Sequence, residues 1–115
     1  MPQNNLRPVL SIDLGGTNIK SAIVLPDGEI SYFKSYPTQA DRGPEEVVTR
    51  IIFAIKDTMA KTGLKIRELY GIAIASAGIL DVKNGIITSS PSLPGWHNIP
   101  LRDIMAEKLG LTVHL

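Results

Sequence analysis

Residues 13–20, with the sequence DLGGTNIK, combine the residue types that proteins use to hold a phosphate group. Two adjacent glycines between apolar segments predict a hairpin whose backbone takes positive φ and comes close to a ligand. The backbone N–H groups of Gly15, Gly16 and Thr17 can then point together as an anion-binding nest. The Thr17 hydroxyl and the Lys20 ammonium add a donor and a positive charge. We therefore name residues 13–20 the candidate phosphate loop.

Asp13, the first residue of this loop, is a candidate ligand for Mg²⁺. It ends an apolar segment, and Mg²⁺ keeps several waters and takes few carboxylates, so one aspartate can hold it through water. A plain Gly-Gly hairpin is the alternative interpretation, because that dipeptide is common in turns. The loop has neither the GxxxxGK[ST] nor the GxGxxG pattern. The combination of Asp, Gly-Gly, Thr and Lys after an apolar segment favours the phosphate loop.

The elements around this loop are predicted to be strands. Apolar segments over residues 9–12, 19–25 and 30–36 predict three antiparallel strands joined by tight turns, the second turn being Pro26-Asp27-Gly28. Residues 1–7 are polar and predict a loose lead-in. The chain therefore opens with a three-stranded antiparallel meander that positions the loop.

Two helices follow the meander. From residue 44 the apolar period becomes helical, with Pro44 at the first helical position and Gly63 as the C-terminal cap. The apolar stripe of this helix consists of Val47, Val48, Ile51, Ile52, Ile55 and Met59. A second helix is predicted over residues 101–109, ending at Gly110.

Shorter segments complete the prediction. Residues 70–75 (YGIAIA) predict a central strand buried on both faces, and residues 80–87 predict a two-stranded ribbon. Residues 89–95 predict a loop that leads to Trp96, whose ring is expected to pack that loop down. A last strand begins near Leu111. The order β-β-β-α-β-α-β predicts an α/β fold with a mixed sheet and helices packed on it, similar to the actin-like ATPase (ribonuclease H-like) domain and expected to continue past residue 115.

Composition excludes several classes of function. The net charge is +1 and aromatic residues make up 5%, so a nucleic-acid partner is not expected. There is no cysteine, hence no disulfide framework. No signal peptide or membrane-spanning segment is visible, and we expect a cytoplasmic protein without a membrane partner.

The motifs resemble those of the ROK family of sugar kinases and related repressors. DLGGTNIK resembles the family's DxGGTxxK phosphate motif, and GIAIASAGILD over residues 71–81 resembles its strand and following STAGxVD segment. SPSLPGW over residues 90–96 resembles its PNLPGW loop, and Ile99-Pro100-Leu101 its next helix start. The similarity extends from about Pro8 onward, so residues 8–115 are interpreted as an incomplete N-terminal nucleotide- and sugar-binding lobe.

This resemblance implies an ATP-dependent hexose kinase, acting on a glucose-like sugar or an N-acetylhexosamine, with Mg²⁺ as cofactor. The residues implied to bind ATP are Asp13, Gly15, Gly16, Thr17, Asn18 and Lys20. Asp13 is implied to face the metal. The residues implied to border the sugar are Ala77, Gly78, Ser90, Pro91 and Ser92.

Departures from the family pattern leave the sugar open. Many relatives have proline where Ala77 stands and asparagine where Ser92 stands, and serine has a shorter reach and fewer donors than the amide. The resemblance places the catalytic aspartate, a zinc-binding His and Cys cluster and a second phosphate loop beyond Leu115. The chain alone is therefore expected to be inactive, and a homodimer of the longer protein is expected to form mainly through other residues.

Two alternatives to a kinase stay open. Repressors of the family carry a helix-turn-helix before the phosphate motif, and only about a dozen residues precede Asp13, which favours the kinase if Met1 is the native start. Other proteins of the same fold, such as acetate kinases and heat-shock ATPase domains, cannot be separated by fold alone. The LPGW sequence favours the ROK family over these.

Overall fold

The computed structural model describes residues 7–115, so the lead-in predicted over residues 1–7 lies outside the described residues except for Arg7. Within these residues, short strands are interrupted by two α-helices. In chain order they are β1 (Val9–Leu14), β2 (Asn18–Val24), β3 (Ile30–Pro37), α1 (Pro44–Thr62), β4 (Gly71–Ser76), β5 (Ile79–Asp81), β6 (Ile86–Ser89), β7 (His97–Ile99), α2 (Leu101–Leu109) and β8 (Val113–His114). The predicted meander, both helices and the α/β class are confirmed.

Five strands form the main mixed sheet, in the order β3-β2-β1-β4-β8. The strands β1, β2 and β3 are antiparallel neighbours, whereas β4 runs parallel to β1 and β8 runs parallel to β4. Because β1 is central, the loop that follows it lies at the middle of one sheet edge. The sheet therefore presents the turn between β1 and β2 beside the end of β4.

Helix α1 covers one face of this sheet and forms the core with it. Pro44 occupies the start of the helix, two glutamates fill its first turn, and Gly63 caps its end with a φ of 74°. Alternate strand residues face the helix because side chains alternate across a strand. The largest fully buried side chains of the sheet and α1 are Leu10, Ile12, Leu14, Ile19, Ile23, Ile51, Ile55 and Ile72.

Polar contacts fix the position of α1 on the sheet. The hydroxyls of Ser21 and Thr58, both fully buried, form a hydrogen bond of 2.6 Å. Asp57 accepts hydrogen bonds from the Tyr36 hydroxyl at 2.7 Å and from the Lys61 and Lys34 ammonium groups at 3.2 and 3.3 Å. The Tyr36 hydrogen bond, followed by those from Lys61 and Lys34, lowers the pKa of Asp57 from 3.8 to about 2. Asp57 thus links β3 to α1 as an ionised carboxylate.

We expect Asp57 to contribute to stability in a pH-dependent way. Its pKa is lower in the folded state, so its contribution is present above pH 3.8 and is lost as the pH falls toward about 2. Asp57→Asn should lower the urea midpoint at neutral pH and flatten the change in stability between those two pH values. Asp103→Asn, at an exposed carboxylate on α2, is the matched control and should behave like the wild type. Equal pH profiles for Asp57→Asn and the wild type would contradict this role.

The opposite face of the main sheet is only partly covered. Ala75 of β4 is exposed and Ala73 is half-buried, and Phe33 of β3 is 57% exposed. The prediction that β4 is buried on both faces is therefore wrong. The small residues Ala73 and Ala75 lie on this open face.

A small second sheet follows the main one, with the order β5-β6-β7. The predicted ribbon corresponds to β5 and β6, but the sequence interpretation missed β7, which it assigned to the connection before α2. This strand has three residues, and Asn98 in its middle has a φ of 52°, so it lacks the alternating pattern of a longer strand. The loop between β6 and β7 spans residues 90–96, and its Ser92 lies close to Gly16 after β1 of the main sheet.

Among residues 7–115, neither helix is long and apolar enough to cross a membrane.

Candidate functional site

Asp13 and Lys20 lie side by side on the open face of the main sheet. They are direct partners across β1 and β2, and their neighbours Ile12 and Ile19 point toward α1 and are fully buried. Both Asp13 and Lys20 are therefore exposed on the other face. Neither side chain takes part in an ion pair within the described part of the chain, residues 7–115. A carboxylate and an ammonium thus stand available beside the hairpin turn.

Hydrogen bonds fix the turn between β1 and β2 through its carbonyl groups. The Gly15 N–H donates to Asn18 O at 3.0 Å, the Thr38 N–H donates to Thr17 O at 2.9 Å, and the Thr38 hydroxyl donates to Gly15 O at 2.8 Å. In contrast, no acceptor within residues 7–115 pairs with the N–H of Gly16 or of Thr17. Unpaired donors of adjacent residues are the arrangement that binds anions.

The physical reason for the two glycines differs from the predicted one. Positive φ occurs at seven other glycines of residues 7–115 but at neither Gly15 nor Gly16, so that part of the prediction is wrong. The requirement at Gly16 is close approach instead. A Cβ there would lie 2.6 Å from the Ser92 Cβ and 2.8 Å from Ser92 O, too close for any side chain. At Gly15 a Cβ would lie 3.0 Å from Asn18 O, which is also tight.

The contact at Gly16 joins the candidate phosphate loop to the candidate sugar loop. Ser92 belongs to the segment Ser90-Pro91-Ser92, which follows β6 and crosses toward the hairpin. The Ser90 hydroxyl is buried, and no partner for it exists among residues 7–115. Two segments separated by more than seventy positions in sequence therefore meet at Gly16 and Ser92.

Gly78 supports the same loop from the end of β4. Its φ of +118° is a conformation that side-chain-bearing residues rarely adopt, and a Cβ would overlap Ser89 O and lie 3.0 Å from Ser90 Cα. Ala77 beside it is exposed. Gly78 thus lies against Ser90, with Ala77 next to it in sequence.

Residues 93–96 fix the position of the candidate sugar loop, Ser90-Pro91-Ser92, through two turns and two buried side chains. The Leu93 N–H donates to Ser90 O and the Trp96 N–H donates to Leu93 O, both at 3.2 Å, so two turns follow each other. Leu93 and Trp96 are 2% and 1% exposed. The expectation that Trp96 packs the loop down is confirmed, and its ring belongs to the core.

Thr38 is a residue of the site that the sequence interpretation missed. It is fully buried and donates two hydrogen bonds to the hairpin carbonyls, although it lies between the third predicted strand and the first predicted helix, where no site residue was predicted. The only sign of this role in the sequence was its position directly after Pro37, at the end of β3. Strand β3 pairs with β2, which begins at the hairpin, so the residue after β3 lies next to the hairpin.

The donor set fits a phosphate group and a lightly coordinated Mg²⁺. Backbone N–H groups and the Thr17 hydroxyl suit phosphate oxygens, and Asp13 is the one carboxylate on β1 and β2. Within residues 7–115 no three His, Asp or Glu side chains cluster in the manner of a protein-enclosed metal site. Asp13 is therefore the residue of the two strands that could hold a metal through its waters.

A mixed sheet that opens with a three-stranded antiparallel meander is the arrangement of the actin-like fold, as in ROK sugar kinases of known structure. The sequence profile of the ROK family matches residues 9–115, and the chain belongs to that family.

Relatives include both sugar kinases and repressors. A glucokinase of Thermotoga maritima is 36% identical over 110 residues, which cover 93% of this chain and 32% of that protein. A xylose repressor of Caldicellulosiruptor bescii is 29% identical over 108 residues, covering 93% of this chain and 27% of the repressor. The crystal structure of a ROK family glucokinase from Streptomyces griseus in complex with glucose and AMPPNP has a TM-score of 0.82 at 25% identity, over 94% of this chain and 32% of that one. The chain thus spans a third or less of the length of each.

Proposed function

We propose that this chain is the nucleotide-binding part of an ATP-dependent hexose kinase, which transfers the γ-phosphoryl group of ATP to a sugar hydroxyl. The observation that carries the proposal is the direct contact of Gly16 with Ser92, because it joins a turn with unpaired N–H groups to the loop implied to bind sugar. A phosphoryl donor and its acceptor must meet, and each of these segments suits one of them. Membership of a family that contains glucokinases supports the assignment.

The phosphate side of the site binds through the hairpin. The N–H groups of Gly16 and Thr17 receive the terminal phosphates, with Gly15 and Asn18 closing the turn behind them. The Lys20 ammonium neutralises phosphate charge as a mobile point charge. Preorganised donors of this kind stabilise charge that spreads over the transferred group.

Asp13 holds the metal side of the nucleotide. It is exposed and free of ion pairs within residues 7–115, so it can accept hydrogen bonds from waters of a bound Mg²⁺. Mg²⁺, when bound with ATP, supplies charge neutralisation at the phosphates and a template for the transfer.

The sugar side of the site is formed by the loop Ser90-Pro91-Ser92 with Ala77 and Gly78. The Ser90 hydroxyl is buried and has no partner within residues 7–115, so a sugar hydroxyl can pair with it once rotation of the side chain exposes it. The Ser92 side chain stands beside Gly16, where the acceptor hydroxyl must approach the phosphate. The general base that removes the proton from that hydroxyl is proposed to lie in the chain beyond Leu115.

A coupled ADP-release assay tests this function. It is applied to the full-length protein, meaning this chain with any further residues that its gene encodes, and to a panel of hexoses and N-acetylhexosamines. We expect ADP release that depends on MgATP and on at least one of these sugars. An absence of sugar-dependent ADP release across the panel would overturn the proposed activity.

A sugar-sensing repressor is the second candidate, and the similarity to a xylose repressor favours it. The hairpin would then be retained for its shape, and the sugar loop would report the sugar to a DNA-binding segment elsewhere in the protein. Sugar-dependent release of operator DNA without ADP production would identify this function in place of the kinase.

A further inference from the structure

Thr38 makes two hydrogen bonds to the hairpin turn from a fully buried position. Its hydroxyl donates to Gly15 O at 2.8 Å and its N–H donates to Thr17 O at 2.9 Å. The second bond extends the pairing of β2 with β3 by one step, because the last partners in that ladder are Asn18 and Pro37. The hydroxyl bond has no such equivalent in the sheet and reaches across to the far side of the turn.

The hydroxyl bond determines the direction of the Gly16 N–H. A carbonyl oxygen and the N–H of the following residue belong to one planar peptide unit and point in opposite directions when that unit is trans. No peptide bond in residues 7–115 is cis. Holding Gly15 O against Thr38 therefore turns the Gly16 N–H away from Thr38, and this N–H has no acceptor within residues 7–115.

The residue that follows Thr38 is hydrogen-bonded to α1. The next residue, Gln39, has a left-handed backbone with a φ of 52°, which is costly for a residue other than glycine. Its side-chain oxygen accepts a hydrogen bond of 2.8 Å from Arg50 on α1, and Arg50 also pairs with Glu46 at 3.1 Å. The chain after β3 is thus held in an unfavourable conformation that keeps Thr38 under the turn.

We propose that Thr38 is a positioning residue, whose hydroxyl aims the Gly16 N–H at the terminal phosphates of the bound nucleotide. The inference rests on the proposed nucleotide site, and it adds a residue that touches neither the nucleotide nor the sugar. Freed from Thr38, the peptide unit between Gly15 and Gly16 rotates, and its dipole no longer favours the anion.

Two conservative substitutions separate this role from simple packing. Thr38→Val keeps the shape of the side chain and removes the hydroxyl, whereas Thr38→Ser keeps the hydroxyl and removes the methyl group. If Thr38 acts by packing, Thr38→Val should lose less affinity for the nucleotide than Thr38→Ser. If its hydroxyl positions the hairpin, Thr38→Ser should lose less affinity than Thr38→Val. Thr38→Ala, which lacks both groups, serves as a replacement for valine if that variant does not fold.

The test measures binding of a non-hydrolysable ATP analogue with Mg²⁺ to the full-length protein by calorimetry. One hydrogen bond corresponds to a loss of roughly fivefold to tenfold in affinity for Thr38→Val. Affinity for the sugar should stay unchanged, and Thr38→Ser should bind the analogue like the wild type. Hydrogen–deuterium exchange of a peptide covering residues 15–18 should be faster in Thr38→Val and Thr38→Ala than in the wild type and Thr38→Ser.

Unchanged analogue affinity and unchanged exchange in Thr38→Val, or an equal loss in Thr38→Ser, would overturn the inference. A different result would overturn the proposed kinase activity while leaving the positioning role of Thr38 intact. A wild-type protein that binds the analogue with the expected pattern of variants, but releases no ADP with any sugar, supports the positioning role and overturns the kinase. A wild-type protein that binds no analogue overturns both.

Discussion

Replacing Asp13 with alanine in the full-length protein is expected to lower the rate of sugar phosphorylation by roughly a hundredfold or more. Asp13 is the one carboxylate on the two strands that flank the hairpin, and it stands exposed beside Lys20. Without it, the waters of Mg²⁺ lose their acceptor on the protein, and the terminal phosphates lose their alignment with the hairpin. The loss should be seen mainly in kcat of the coupled ADP-release assay.

A matched pair of asparagine variants isolates the charge of Asp13. Asp13→Asn keeps the size of the side chain and should lose nearly as much activity as the alanine variant. Asp27→Asn removes an equal charge from the turn at the opposite end of β2, where the carboxylate only accepts a bond from the Glu29 N–H, and should retain activity. Because Asp13 is exposed and free of ion pairs within residues 7–115, its variants should unfold like the wild type. Wild-type kinetics in Asp13→Ala would contradict the proposal that Asp13 holds Mg²⁺ through its waters.

Replacing Gly16 with alanine is expected to lower kcat/KM for both MgATP and sugar by roughly a hundredfold. The added methyl group would lie 2.6 Å from the Ser92 Cβ and 2.8 Å from Ser92 O, so the hairpin and the sugar loop must move apart. A shift of the two loops displaces the phosphoryl donor from the acceptor. Both substrates should therefore be affected, although the substitution lies in only one loop.

Gly71→Ala is the matched control for this change. Gly71 begins β4 in the same sheet, its φ is not positive, and an added Cβ would make only ordinary contacts of 3.6 and 3.7 Å with the His114 ring. The same chemical change should therefore leave kcat/KM close to the wild-type value. An equal loss in both variants would indicate a general loss of stability, and full activity in Gly16→Ala would contradict the coupling of the two loops.

Much of the fold follows from local sequence signals. The apolar stripe from Val47 to Met59 predicted α1 through its helical spacing, and Pro44 and Gly63 predicted its bounds because each acts through its own backbone. The three strands of the meander were predicted by apolar segments and a Pro-Asp-Gly turn. These features require no knowledge of distant contacts, which explains why they could be predicted.

Other features depend on contacts between distant segments and could not be predicted. Gly16 is required because Ser92 leaves no room for a side chain, whereas the sequence predicted it for a positive φ. Strand β7 forms because β6 offers an edge, not because residues 97–99 favour a strand. Thr38 acquires its role from Gly15 and Thr17, about twenty positions away, and its place after Pro37 at the end of a predicted strand was the only local sign of it.

In the proposed function, the site joins a nucleotide-binding hairpin to one wall of a sugar pocket. Thr38 contacts the hairpin, and the hairpin contacts the Ser90-Pro91-Ser92 loop. A change at the contact between Gly16 and Ser92 should therefore affect both substrates, whereas a change at Thr38 should affect the nucleotide alone. Asp57 and its partners lie outside these contacts, between β3 and α1, and affect stability instead.

A crystal structure of the full-length protein with Mg²⁺ and a non-hydrolysable ATP analogue is the most direct measurement of the central claim. We expect oxygens of the terminal phosphates at about 3 Å from the N–H groups of Gly16 and Thr17. We also expect waters of Mg²⁺ within hydrogen-bond distance of Asp13. An analogue whose phosphates bind elsewhere, leaving those two N–H groups in contact with solvent alone, would contradict the claim that this hairpin is the phosphate grip.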